Sequence, residues 1–159
     1  MARLRRLMRE AKAKEMTMPV RTAAAEWRGG LQDGSGIVRL GSKSFEGPYS
    51  FNSRFGDGKG TNPEELIGAA HAGCYSMALA ASLGREKVTP KRIHTDAKVH
   101  IDRVGEGMAI TKIELETEAE IPGYDPAKFQ ALAEKTKLEC PVSKALTGTT
   151  ITLVARLIS

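Results

Sequence analysis

Aromatic side chains are scarce: Phe, Trp and Tyr make up 5% of the 159 residues. That excludes a single-stranded nucleic-acid platform built on base stacking, which needs several exposed rings. Cysteine occurs twice and histidine three times, too few for a zinc ribbon or a two-zinc site. His94 and His100 fall on a strand pattern without a carboxylate in ligand spacing, so no metal is expected there. The body of the chain also lacks net charge. Residues 1–15 hold Arg3, Arg5, Arg6, Arg9, Lys12 and Lys14 against Glu10 and Glu15, which is +4 of the chain's +5. A nearly neutral body argues against a nucleic-acid-binding fold.

The basic segment has no continuous apolar run, which sets it apart from a secretory signal. It has no Ser and two acids, a poor match to a transit peptide. A solvated extension over 1–15, followed by one domain over 16–159, is the expected organisation. Leu66 to Leu83 contains no formal charge over 18 residues, long enough to span a bilayer. Its Ala, Gly and Ser content makes it weakly hydrophobic, so a small-residue helix inside a soluble, cytoplasmic protein is expected, not a membrane span.

What is present divides by period. Ala23–Trp27, Gly36–Leu40 and Ser44–Phe51 suggest short strands, the latter two a hairpin region, with 52–62 as a Gly-rich loop. Asn62, Pro63 and Glu65 form a helix start: cap, first-turn proline, and an acid in capping-box spacing. Gly84 suggests where that helix stops. Residues 92–121 alternate with period two around a Gly105-Glu106-Gly107 turn. Ile113, Leu115, Thr117, Ala119 and Ile121 face one way, and Glu114, Glu116, Glu118 and Glu120 the other. This predicts an antiparallel pair with one wet face. Asp125-Pro126 starts a second helix, Cys140-Pro141 a short third, and 149–158 a last strand. The order is α+β and not a βαβ succession.

The two cysteines are the candidates for chemistry. Cys140, at a helix start, can receive backbone N–H groups that lower a thiol pKa. Cys74, in mid-helix, sees little of the dipole and needs a cation from elsewhere. Dipole reasoning alone favours Cys140 as the reactive thiol; the general behaviour of cytosolic cysteines favours two buried small hydrophobes. His71 precedes Cys74 by three residues and shares its helix face. A Cys–His pair for acyl transfer and a hydrogen-bonded interior histidine both fit, and the second is expected. Arg54 and Glu64, taken singly, are a surface arginine and an acid in a helix first turn.

Two strings carry more than composition does. Phe51-Asn52-Ser53-Arg54-Phe55 is followed by Gly60-Thr61-Asn62-Pro63-Glu64-Glu65-Leu66-Ile67-Gly68-Ala69-Ala70-His71-Ala72-Gly73-Cys74 and Ser76-Met77-Ala78-Leu79. The other is Cys140-Pro141-Val142-Ser143-Lys144-Ala145-Leu146. From about residue 19 onward the chain resembles the OsmC/Ohr family, and its wording is that of the OsmC branch. The resemblance implies a thiol peroxidase that reduces hydroperoxides, chiefly organic ones, to alcohols without a cofactor. It implies an α+β intertwined homodimer, with two curved antiparallel sheets around long central helices. Cys74 is then peroxidatic and Cys140 resolving, against the dipole argument, and Arg54 and Glu64 match the arginine and glutamate of the pattern. In that scheme Arg54 folds over Cys74, and Glu64 holds the guanidinium. An external dithiol, in some members a lipoyl-bearing protein, restores the enzyme. Two other classes stay open: a thiol switch without turnover, and nucleic-acid binding through the basic tail.

Overall fold

A computed structural model describes residues 18–158. The basic segment over 1–15 lies outside the described residues.

The strands are β1 (Ala23–Arg28), β2 (Ser35–Leu40), β3 (Glu46–Ser50), β4 (Arg92–Val104), β5 (Gly107–Glu120) and β6 (Thr150–Ile158). The helices are α1 (Phe51–Phe55), α2 (Pro63–Arg85), α3 (Pro126–Glu139) and α4 (Pro141–Ala145). The α+β order holds. Two expectations about local structure do not. The stretch taken as a loop begins with α1, because Ser50 and Ser53 form a reciprocal cap: Ser50 Oγ accepts from the Ser53 amide, and Ser53 Oγ accepts from the Ser50 amide. Gly84 does not end α2, which runs to Arg85 with Glu86 as its cap; the left-handed residue is Lys87, at φ 60°.

The strands form two three-stranded sheets, β1-β2-β3 and β4-β5-β6. The first is antiparallel throughout. In the second, β4 and β5 pair antiparallel but β6 lies parallel to β5. The expectation of two purely antiparallel sheets is corrected here. The physical reason is the crossover: α3 and α4 carry the chain back along the sheet, so β6 re-enters in the direction of β5.

The alternation over 92–121 is observed as expected. Ile113, Leu115, Thr117 and Ala119 are buried, and the intervening glutamates face outward. Against this face pack Tyr75, Leu79 and Leu83 of α2 and Phe129 of α3, each fully buried. Full burial of such side chains contributes roughly 1.5–3 kcal/mol apiece.

The first sheet is different. Nearly all of β1 is exposed, and β1, β2 and β3 make their substantial contacts with one another and, through β3, with α1. One face of α2 is also open, along Ala69, Ala70, Gly73, Met77 and Ala80. Met77 is 76% exposed, in a helix apolar and long enough to cross a membrane by composition alone.

Candidate active site

Local hydrogen bonds fix the entrance to α2. Asn62 caps the helix by accepting from the Glu65 amide at 2.8 Å, while its Nδ2 donates to the Ser53 carbonyl at 3.1 Å. One side chain thus ties α2 to α1. The Ser53 hydroxyl adds a bond to the Thr61 carbonyl at 2.8 Å. Between them Gly60 sits at φ +125°, where a Cβ would lie 2.6 Å from the Pro48 carbonyl oxygen. No other residue fits that turn without moving the backbone.

This staple aims Arg54 of α1 at Glu64 of α2. Arg54 spans the carboxylate with two of its three guanidinium nitrogens: Nη2 to Oε1 at 2.7 Å, and Nε to each oxygen at 3.2 Å. The fork geometry fixes the guanidinium plane as well as its position. Glu64 is buried and Arg54 remains partly exposed. Arg54 also packs over the Phe55 ring, 5.1 Å from its centroid. It borders an apolar pocket of about 290 Å³ lined by Trp27, Leu31, Tyr49, Phe51, Phe55 and Pro63.

The cysteines meet elsewhere. Cys74 of α2 and Cys140, the residue between α3 and α4, bring their sulfurs to 3.3 Å across 66 residues of chain. Cys140 is fully buried and Cys74 partly so. Burial pushes the Cys74 thiol up; the Val142 amide opposes this, and Cys140 adds to it. Burial also pushes against ionisation of Cys140. There the Ser143 amide, the Cys74 thiol, the Ser143 hydroxyl and the Val142 amide together prevail, and the Cys140 pKa is lowered. Within a single chain, then, the surroundings favour the thiolate more at Cys140 than at Cys74, the order that dipole reasoning expects.

His71 is buried, and its Nε2 lies 2.8 Å from the Ser143 hydroxyl. Its Nδ1 has no partner, and burial lowers its pKa. The interior-histidine expectation describes it. Ser143, its buried partner, was not singled out from sequence. Its only signal was its place three residues after Cys140. Among the described residues, no group of three or more His, Cys, Asp or Glu is arranged to hold a metal ion.

The four expected site residues therefore form two pairs, Arg54–Glu64 and Cys74–Cys140. They are not one cluster within the chain. Glu64 and Cys74 are ten residues apart on one helix, or about 15 Å of rise. No arginine contributes to the shift at Cys74.

Fold and site together define an α+β protein in which two free cysteines lie side by side. The OsmC-like protein family matches residues 56–154, and the chain belongs to it. It is 50% identical over 123 residues to Peroxiredoxin OsmC of Escherichia coli K12, covering 77% of this chain and 86% of that protein. It is 35% identical over 92 residues to the organic hydroperoxide resistance protein of Xanthomonas axonopodis pv. citri, covering 57% of this chain and 63% of that one. The crystal structure of an organic hydroperoxide resistance protein from Elizabethkingia anophelis superposes with a TM-score of 0.68 at 26% identity, covering 90% of this chain and 100% of that one. Glu64, Cys74 and Cys140 lie within the family match; Arg54 lies two residues before it.

Proposed function

We propose that this protein is a cysteine peroxidase that reduces organic hydroperoxides to alcohols. The observation that carries the reading is the approach of two free cysteine sulfurs to 3.3 Å, across 66 residues, in a member of this family. A disulfide needs about 2.05 Å, so roughly 1.3 Å of closure joins them.

The partly exposed Cys74 is the sulfur that meets peroxide. Its thiolate attacks one peroxide oxygen; the O–O bond breaks, the alkoxide leaves and takes a proton, and Cys74 becomes a sulfenic acid. Cys140 then attacks that sulfur. The S–O bond breaks, hydroxide leaves as water, and a disulfide forms. An external dithiol, such as a lipoyl group on a carrier protein, reduces it by exchange. This chemistry calls for no metal or organic cofactor. The alkyl group of the substrate is taken by the apolar pocket beside Arg54, which prefers it to the bare hydrogen peroxide.

Among the described residues no cation acts on Cys74, and Arg54 is held about 15 Å along the helix by Glu64. A second copy resolves this. The working unit is an intertwined homodimer in which the Arg54–Glu64 pair of one copy lies over Cys74 of the other. The uncovered β1-β2-β3 sheet and the open small-residue face of α2 support this assembly, since both leave apolar surface without a cover in one chain. In the dimer Arg54 favours the Cys74 thiolate by proximity and then stabilises the departing alkoxide. Residues 16–159 form the peroxidase domain, and residues 1–15 are an extension it does not need.

The test is a trapping experiment. Cys140→Ser, given one equivalent of an organic hydroperoxide and a sulfenic-specific reagent, should be labelled on Cys74. Label on Cys140 in Cys74→Ser, with none on Cys74 in Cys140→Ser, would reverse the roles and overturn the assignment.

A further inference from the structure

Isolated helices shorter than about 12–15 residues are marginal in water, so a five-residue helix depends on what it docks against. α4 is such a helix, and Cys140 is the residue that caps it. The segment is stiff within itself. Pro141 fixes the backbone at the first helical position, the Lys144 amide donates to the Cys140 carbonyl at 3.0 Å, and the Leu146 amide donates to the Val142 carbonyl at 3.0 Å. Cys140 and Ser143 therefore move as one piece. Val142 and Leu146 pack partly against the core, but among the residues of α4 Ser143 alone is buried.

That piece meets one turn of α2 at two places. The Cys74 and Cys140 sulfurs lie 3.3 Å apart, and His71 Nε2 lies 2.8 Å from Ser143 Oγ. His71 precedes Cys74 by three residues, and Ser143 follows Cys140 by three. The two contacts are thus rungs between the same two segments, which run in opposite senses, with about 4.5 Å of helix rise between the rungs on α2. The rungs differ in strength. A thiol is a weak donor and a sulfur a weak acceptor, whereas imidazole and hydroxyl are both good partners. The His71 ring is fully buried and its Nδ1 is unpaired, so the contact with Ser143 is the one hydrogen bond this ring has. Burying a polar group costs free energy unless it is hydrogen-bonded, which ties the burial of His71 to the docking of α4.

We propose that His71 and Ser143 are positioning residues of the resolving step: their bond docks α4 on α2 and holds the Cys140 sulfur within reach of Cys74. The proposal rests on the peroxidase reading above and deepens it for the half of the cycle that follows peroxide attack. In that step the Cys140 sulfur supplies an electron pair to the sulfur of the Cys74 sulfenic acid. The S–S bond forms, the S–O bond breaks, and the departing hydroxide takes the Cys140 proton and leaves as water. The rate of such a step depends on how well the two reacting atoms are held in place. The competing fate is a second hydroperoxide, which is reduced to its alcohol while it oxidises the sulfenic acid to a sulfinic acid and ends turnover. By shortening the life of the sulfenic acid, the His71–Ser143 bond protects Cys74 from that loss.

Two measurements test this, and one needs no peroxide. In the first, the Cys74–Cys140 disulfide is equilibrated with mixtures of oxidised and reduced dithiothreitol. Ser143→Ala should lower the equilibrium constant for closing the disulfide about tenfold, the scale of one hydrogen bond, which raises its reduction potential by about 30 mV. In the second, Cys74 is oxidised with one equivalent of an organic hydroperoxide and the loss of its sulfenic acid is followed. Closure in Ser143→Ala should be about tenfold slower, and sulfinic acid should accumulate when peroxide is in excess. His71→Gln, whose amide reaches the position of Nε2, should stay close to the parent in both. Ser143→Ala also leaves a buried imidazole unpartnered and so lowers the melting temperature. His71→Leu combined with Ser143→Ala removes both polar groups; it should recover stability yet show the same losses as Ser143→Ala, and it carries the test if the single variant does not fold. Ser82→Ala is the control. It breaks another buried contact of α2, from Thr136 Oγ1 to Ser82 Oγ at 3.2 Å, and should lower the melting temperature with the potential and closure rate unchanged. Parent values in Ser143→Ala and in the double variant, or equal losses in Ser82→Ala, would overturn the proposal. Failure of the parent to form any sulfenic acid would instead overturn the peroxidase reading, and the dithiothreitol equilibrium would still decide the docking.

Discussion

The four side chains proposed to carry the chemistry are each placed by a different force. Glu64 can be buried because Arg54 covers both of its oxygens, and neither residue could be placed this way alone. Arg54→Ala removes the cation and leaves Glu64 buried without a partner. Peroxide reduction at neutral pH should fall by about 10²–10³, the scale for losing one electrostatic stabiliser. The Cys74 pKa, measured by alkylation, should rise. Glu64→Ala should give a smaller defect of the same kind, because the cation persists without its positioning partner. Equal rates and an equal Cys74 pKa in the Arg54 variant would assign activation to another group. How far these residues were legible differs by pair. The cysteines stood out by number and Arg54–Glu64 by the surrounding string. The His71–Ser143 bond did not, because it depends on a 72-residue tertiary contact that no local pattern encodes.

The strands and helices were legible where period and capping agree. The alternation over 92–121 gave both the pairing and the buried face of β4 and β5, since a one-residue slip would turn every side chain over. The cap at Asn62 and the prolines at 63 and 126 marked helix starts. What escaped was set by longer reach: α1, held by a serine pair inside a Gly-rich stretch, and the parallel entry of β6, set by the path of two intervening helices. The outward face of the second sheet is an ion-pair ladder, with Lys98 to Glu116 at 2.5 Å, Lys91 to Glu120 at 3.1 Å and Arg92 to Glu118 at 3.4 Å. Glu114 joins it through Lys112 and through His100 at 3.0 Å, and Lys112 then His100 lower its pKa from 4.5 to about 2. A carboxyl depressed on folding stabilises the folded state above its unfolded pKa and loses that contribution as pH falls through the folded value. The melting temperature should therefore decline between pH 4.5 and about 2 more steeply in the parent than in Glu114→Gln. Parallel declines, followed by circular dichroism, would remove Glu114 from the account of acid stability.

Across the whole molecule, the proposal that a second copy joins the two separated pairs is open to a complementation test. Cys74→Ser and Arg54→Ala homodimers are each expected to be nearly inactive. Mixed by unfolding and refolding together, they should regain activity, because half of the sites in a heterodimer then combine an intact Cys74 with an intact Arg54. No recovery in a mixture shown to contain heterodimers would place both residues of a site in one chain. A truncation beginning at Met16 should keep dimerisation and activity; loss of either would make the basic extension integral. The central claim, that the cysteine pair turns over hydroperoxide, is tested most directly by counting. With a dithiol in excess, the hydroperoxide consumed per protein molecule should rise without limit in the parent. It should stay near zero in Cys74→Ser under the same conditions. Consumption in the parent that stops at about one equivalent, with dithiol still in excess, would describe a thiol switch and contradict the peroxidase.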